Sequence, residues 1–136
     1  MVKSILSSPQ ESVLERALGA AALRHKVVAN NIANVNTPGF KRSDVVFEDK
    51  LAEAMSGGKL PLARTHAKHL AGRQGGDVSA PSVVTDTRTT MRTDGNNVDI
   101  DAEMANVAKN SIYYNAVAQQ LGTYFSNLKS VIRGGN

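Results

Sequence analysis

The sequence predicts a mainly α-helical chain. Two long helices, one toward each end, pack as a coiled-coil-like hairpin around a loop-rich insert with room for a small β element. Two runs of apolar residues at alternating spacings of four and three predict the helices. Glycines and prolines crowded between those runs predict the insert. A third observation bears on self-sufficiency. Leu, Ile, Val and Phe together number 32 of 136 residues, tryptophan is absent and only six residues are aromatic, which is thin material for an independent core. The chain divides accordingly into a flexible N-terminus (1–9), an N-terminal helix (10–35), a turn and loop or β-containing insert (36–98), a C-terminal helix (99–133) and a tail (134–136).

From Gln10 to Asn34 there is no proline and a single glycine, Gly19. Leu14, Leu18, Ala21, Val28, Ile32 and Val35 form a heptad seam in which His25 fills the one gap, as a packed polar residue that sets register. From Val13 to Asn34 such a helix is roughly 33 Å long, at about 1.5 Å per residue. Alanines at 17, 20, 21 and 22 flank the seam and allow close approach.

The helix then runs into Asn30-Asn31-Ile32-Ala33-Asn34-Val35-Asn36-Thr37-Pro38-Gly39-Phe40-Lys41-Arg42. Asparagine is a mediocre helix former because its amide competes for backbone hydrogen bonds. Two readings of Asn30, Asn31 and Asn34 stand side by side: solvation in a lone subunit, or hydrogen bonds across neighbouring subunits. Pro38 forces Thr37 into extended geometry, so the helix ends before it. Pro38-Gly39 suits the centre of a type II turn.

Between Leu51 and Asn97, Ser56-Gly57-Gly58, Gly72, Gly75-Gly76, Pro61 and Pro81 leave no helical period of useful length. Val83-Val84-Thr85 and Thr87 to Thr93 read as extended segments, with Asp94-Gly95 as a tight turn.

Periodicity returns after Asp99. Ile100, Met104, Val107, Ser111, Tyr114, Ala118, Leu121, Phe125, Leu128 and Ile132 alternate by four and three without a break. Asp99 is the expected N-cap, with Asp101 and Glu103 in the first turn where negative charge suits the helix dipole. Lys129, Arg133 and Gly134-Gly135 mark the end of a helix roughly 51 Å long. A single hairpin leaves most of each apolar stripe wet, so neighbouring copies or relatives are the economical cover.

Several function classes recede. The net charge of +4 is spread along the chain without a basic stripe or interleaved aromatics, so the charges read as solvated faces and nucleic-acid binding is not indicated. No cysteine is present, which removes thiol catalysis, thiolate metal sites and disulfides. His66 and His69, spaced H-x-x-H, together with His25 make a weak metal signal without a carboxylate cluster. Asp99, Asp101 and Glu103 are better explained as cap and dipole partners than as acid–base machinery. No phosphate loop, Ser-His-Asp set or cofactor box stands out. Residues 1–12 lack a signal-like apolar run and no stretch approaches membrane-spanning length. The expectation is therefore a cytosolic chain, or one exported without a cleaved signal.

Both ends resemble the rod and hook proteins, the axial family of the bacterial flagellum. The stretch from Ala29 to Lys41 is similar to the N-terminal signature of that family. The stretch Gly95-Asn96-Asn97-Val98-Asp99-Ile100-Asp101-Ala102-Glu103-Met104, followed by Ala108, Asn110 and Tyr114, resembles the proximal-rod branch. The likeness covers 13–51 and 94–136. Residues 64–70 are only faintly family-like, and Phe40 stands where many relatives have Tyr.

The resemblance implies a non-catalytic, self- and hetero-assembling rod subunit that forms part of the drive shaft and export channel, exported unfolded and ordered on docking. It implies as partners other rod subunits (FlgC, with FlgF and FlgG), FliE, the membrane ring protein FliF and the flagellar type III export apparatus, in the periplasm. It implies no cofactor, metal, nucleic acid or small-molecule substrate. The expected assembly seams are Leu14, Leu18, Ala21, Val28 and Ile32 on the first helix. On the second they are Met104, Val107, Tyr114, Ala118, Leu121, Phe125, Leu128 and Ile132. The signature joint is Asn30, Asn31, Asn34, Asn36, Pro38, Gly39 and Phe40. The other reading of the residues is a soluble helical-hairpin adaptor or nucleic-acid-associated protein.

Overall fold

A computed structural model describes residues 9–49, 51–52 and 80–134. The His66/His69 pair, residues 64–70, and the glycines and prolines between 56 and 76 lie outside the described residues. Helix α1 spans Pro9–Ala33, strand β1 Ser43–Val46, strand β2 Ser82–Thr85 and helix α2 Ile100–Ile132. The architecture is the expected one, two long helices with a small antiparallel sheet between them in sequence. β1 and β2 pair with Ser43 opposite Thr85 and Val46 opposite Ser82. The stretch from Thr87 to Thr93, expected to be extended, contains no strand. Its backbone instead turns back on Asn96, whose carbonyl accepts from the N–H groups of Met91 (3.0 Å) and Arg92 (3.1 Å).

The helices run antiparallel. Asn31 near the end of α1 meets Glu103 near the start of α2, and the Ala21 carbonyl meets Asn110 further along. The core is narrow. Ala17, Ala20, Phe47 and Val117 form its centre, with Leu14, Leu18, Leu51 and Tyr113 packed around them. Phe47, just past β1, is fully buried and plugs the space that the alanines leave.

The expected N-cap forms: the Asp99 carboxylate accepts from the N–H groups of Asp101 (3.0 Å) and Ala102 (3.4 Å). Arg133 closes the other end, its N–H bonded to the Lys129 carbonyl. The turn after α1 also has its expected form. Gly39 has φ +70°, and the Phe40 N–H reaches the Thr37 carbonyl at 3.3 Å, as a type II turn requires.

Which faces the helices bury differs from the periodic reading. On α1 the buried residues are Ala17, Ala20, Ala21, Val28 and Asn31, and His25 is exposed rather than packed in a seam. The reason is that α1 packs against the sheet as well as against α2. Arg24 and Asn31 turn to β1, which carries the buried arc away from His25. On α2 the inward residues are Glu103, Asn110 and Val117, seven apart. The apolar stripe lies roughly a quarter turn away, at about 100° per residue. Polar anchors explain this rotation: Glu103 and Asn110 both bond to α1. Among the described residues no helix is long and apolar enough to cross a membrane.

Candidate functional site: a polar joint and an exposed helix face

The joint begins with Asn31. Its side chain is fully buried and behaves like a strand neighbour of Ser43. Its Nδ2 donates to the Ser43 carbonyl (2.8 Å) while its Oδ1 accepts the Ser43 N–H (3.0 Å). The same Nδ2 also donates to Glu103 Oε2 at 2.9 Å. Neither reading offered for this amide holds, since it is satisfied within the subunit.

Glu103 is fully buried too, and its other oxygen accepts Arg42 Nε at 2.7 Å. The Arg42 guanidinium is thereby held even more firmly protonated than usual, chiefly by that hydrogen bond. Arg42 Nη2 reaches Asp44 at 3.1 Å. The Arg42 backbone N–H donates to Asn97 Oδ1 at 2.6 Å, and Asn97 Nδ2 bridges to the Asp86 carbonyl and Thr89 Oγ1. A buried carboxylate is tolerable only when paired and hydrogen-bonded, and here it ties α1, β1 and α2 together.

Asn96 performs the matching task for the end of α1. Fully buried, its Nδ2 donates to the carbonyls of Asn34 (3.1 Å), Val35 (3.1 Å) and Thr37 (2.9 Å). These carbonyls follow the last turn of a helix, where no intrahelical partner exists. Gly39 donates its N–H to the Asp94 carbonyl at 2.9 Å, and Gly95 has φ +84°, so two glycines meet where the two sequence signatures cross. Lys41 and Arg92 add contacts to Thr89 and Val35.

A second clasp lies farther along α1. Arg24 forms a two-pronged pair with Glu48 at 2.7 and 2.6 Å. The hydrogen bond from Arg24 draws the Glu48 carboxyl below its ordinary range, while burial pushes the Tyr113 hydroxyl up. These groups border a groove of about 460 Å³ that Val28, Asn106 and Lys109 also line.

The expected seam residues separate into two groups. Ala21 and Val28 are buried, and Leu14, Leu18, Ile32, Val107, Ala118, Leu121 and Leu128 are half-buried. Met104, Tyr114, Phe125 and Ile132 are exposed, to 55%, 40%, 45% and 72%. In the joint, Asn30, Asn36, Pro38 and Gly39 face outward, whereas Asn34 and Phe40 are half-buried. Arg42, Asn96, Asn97 and Phe47 have structural roles that no helical period or turn pattern in the sequence marks. The available signal for the pair of asparagines was their place between a turn glycine and an N-cap aspartate. Among the described residues no cluster of His, Asp and Glu is placed to hold a metal. Buried polar groups that satisfy one another suit a rigid connection rather than a reaction.

A family profile described as "Flagella basal body rod protein" matches residues 12–41, which include most of the joint. The chain is 37% identical over 123 residues to the flagellar basal body rod protein FlgB of Bacillus subtilis, covering 90% of this chain and 92% of the relative. It is 39% identical to FlgB of Borrelia hermsii, with 87% and 91% coverage. With FlgB of Salmonella typhimurium the identity is 33%, over 90% and 91% of the two chains.

Proposed function

We infer the role of this chain from one premise: it belongs to the FlgB family of flagellar basal body rod proteins. It is a structural subunit of the flagellar basal-body rod, not an enzyme, and it associates with other components of the basal body. We propose that it occupies the proximal rod, self- and hetero-assembling through its terminal helices.

The observation that carries the assembly mode is the exposed stripe on α2. Ile100, Met104, Tyr114, Phe125 and Ile132 are large apolar residues left in solvent by a helix that already has a partner. Contiguous exposed apolar surface marks interaction sites. In this reading the seam residues left half-buried or exposed on α1 (Leu14, Leu18, Ile32) and α2 (Met104, Val107, Tyr114, Ala118, Leu121, Phe125, Leu128, Ile132) meet other axial subunits, while Ala21 and Val28 are taken up inside the subunit. The joint holds each hairpin at a fixed angle to its insert. FliE and the membrane ring protein FliF lie next to it, FlgC lies beyond, and FlgF and FlgG are further rod partners. The subunit reaches the periplasm through the flagellar type III export apparatus. The division into helix 10–35, insert 36–98 and helix 99–133 is the functional division of the chain.

In-frame deletion followed by electron microscopy of purified basal bodies tests the position. Membrane rings without a rod support the proximal assignment, a partial rod moves the subunit outward, and complete rotating flagella overturn the rod role. Ile32→Asp and Leu121→Asp test the seams. Each introduces a charge without a partner into a contact surface, and each is expected to block incorporation. Normal motility would mean that these seams are not buried in the rod.

A further inference from the structure

We propose that copies of this chain meet head to tail, the exposed ridge of α2 on one copy lying antiparallel along the outer face of α1 on the next, with Phe125 seated over Gly19. The proposal rests on the rod-subunit reading and adds which faces meet, and in what register.

Gly19 lies inside α1 and Gly122 inside α2, and both are exposed. Glycine weakens a helix interior, so its presence there calls for a local reason. A Cβ added at either position meets nothing within 4 Å. Among the described residues no neighbour needs the space of the missing side chain. What glycine provides at these sites is room for something arriving from outside.

The outer face of α1 carries Glu11, Glu15, Gly19 and Ala22 in one line, spaced four, four and three. The ridge of α2 carries Arg133, Lys129, Phe125 and Gly122 with the same spacings read in reverse. An antiparallel pairing that sets Phe125 opposite Gly19 therefore sets Lys129 opposite Glu15, Arg133 opposite Glu11 and Gly122 opposite Ala22. A large ring meets a gap, and two cations one turn apart meet two carboxylates one turn apart. Placing the helices parallel about the same Phe125–Gly19 contact loses this match, because Gly122 then faces Arg16 and Lys129 faces Leu23. Ridge and outer face are different patches of one molecule, so the contact is heterologous. Such a contact repeats without closing into a two-fold dimer.

The chain has no native cysteine, so engineered thiols report one contact. Glu15→Cys with Lys129→Cys, oxidised in isolated basal bodies, is expected to link copies into dimers and higher species, while either single variant links none. Cross-linking absent from the double variant in assembled rods overturns this contact and leaves the rod role intact. A dimer formed by a single variant also overturns it, because that requires a two-fold contact. Absence of the unmodified protein from basal bodies removes the rod role itself, and the contact with it. Charge exchange gives a second measurement: Glu15→Lys and Lys129→Glu should each lower incorporation several-fold, and their combination should restore it. Failure of that restoration overturns the register. Gly19→Leu should reduce incorporation at least tenfold without loss of helical content in the subunit, and incorporation at the parental level overturns the seat for Phe125.

Discussion

Replacing Asn31 by Ala should loosen the joint substantially. The substitution removes two bonds to the Ser43 backbone, at 2.8 and 3.0 Å, and one to the Glu103 carboxylate at 2.9 Å. A net hydrogen bond between neutral groups contributes about 1 kcal/mol and one to a charged group about 1.5–3 kcal/mol, which gives about 4 kcal/mol in all. Ser43 is only half-buried, so water recovers part of its loss, and about 3 kcal/mol remains. At about 1.4 kcal/mol per factor of ten, that is roughly a 150-fold change in the local opening equilibrium. Amide hydrogen exchange over residues 43–47 reads this change directly as lost protection. Asn30→Ala is the control. Asn30 is exposed, and the one bond its side chain makes is a 3.3 Å contact from Asn34, so protection should stay within about twofold, as a cost of at most a few tenths of a kcal/mol requires. Equal protection in Asn31→Ala and its parent would show that the buried amide does not hold β1 against α1. A loss as large for Asn30→Ala would show that asparagine content, rather than this geometry, sets the stability of the joint.

Other expectations concern the clasp, the core and the turn. The Glu48 carboxyl is held below its usual 4.5 by the Arg24 hydrogen bond, so its stabilising contribution is complete above that value and disappears as pH falls through the depressed folded-state pKa. Glu48 is 49% exposed, so the contribution is about 0.5–1 kcal/mol. The urea midpoints of Glu48→Gln and its parent should differ at pH 6 and converge in acid; a constant difference down to pH 3 would rule out the pair as the cause. Phe47→Ala empties the centre of the core and should cost about 3–4 kcal/mol in urea unfolding; a cost under about 1 kcal/mol would mean that the helices close without it. Gly95→Ala places a side chain at φ +84°, where the new Cβ lies 3.7 Å from the Gly39 Cα. Strain rather than a clash should then cost about 1–2 kcal/mol, and an unchanged urea midpoint would show that the turn relaxes freely.

Much of the fold was legible because helical period and end chemistry are local. The alternation from Ile100 to Ile132, the carboxylate of Asp99 and the glycines after Arg133 contain what is needed to find α2 and its limits. Period identifies the residues that share a face, but it does not say which partner takes that face. Hence the stripe was visible and its orientation was not. The inward face was chosen by Glu103 and Asn110, polar residues whose partners lie 72 and 89 positions away. Glu103 also illustrates how a sufficient local explanation conceals a distant one, since a carboxylate in a first helical turn needs no ion pair to account for it. β1, at four residues, is too short for alternation to mark, so the backbone partner of Asn31 had no signature. His25 was misplaced for a related reason: the seven-residue seam assumed one neighbour for α1, and there are two.

The Asn96 amide has a consequence for the order of events. The carbonyls it binds belong to Asn34, Val35 and Thr37, and the shortest of those separations in sequence is 59 residues. The turn that follows the first helix thus takes three of its hydrogen bonds from the second half of the chain. A chain delivered from its N-terminus, by synthesis or by threading through a narrow passage, holds this turn without its clamp until residue 96 has emerged. Completion of the joint is timed by arrival of the far end.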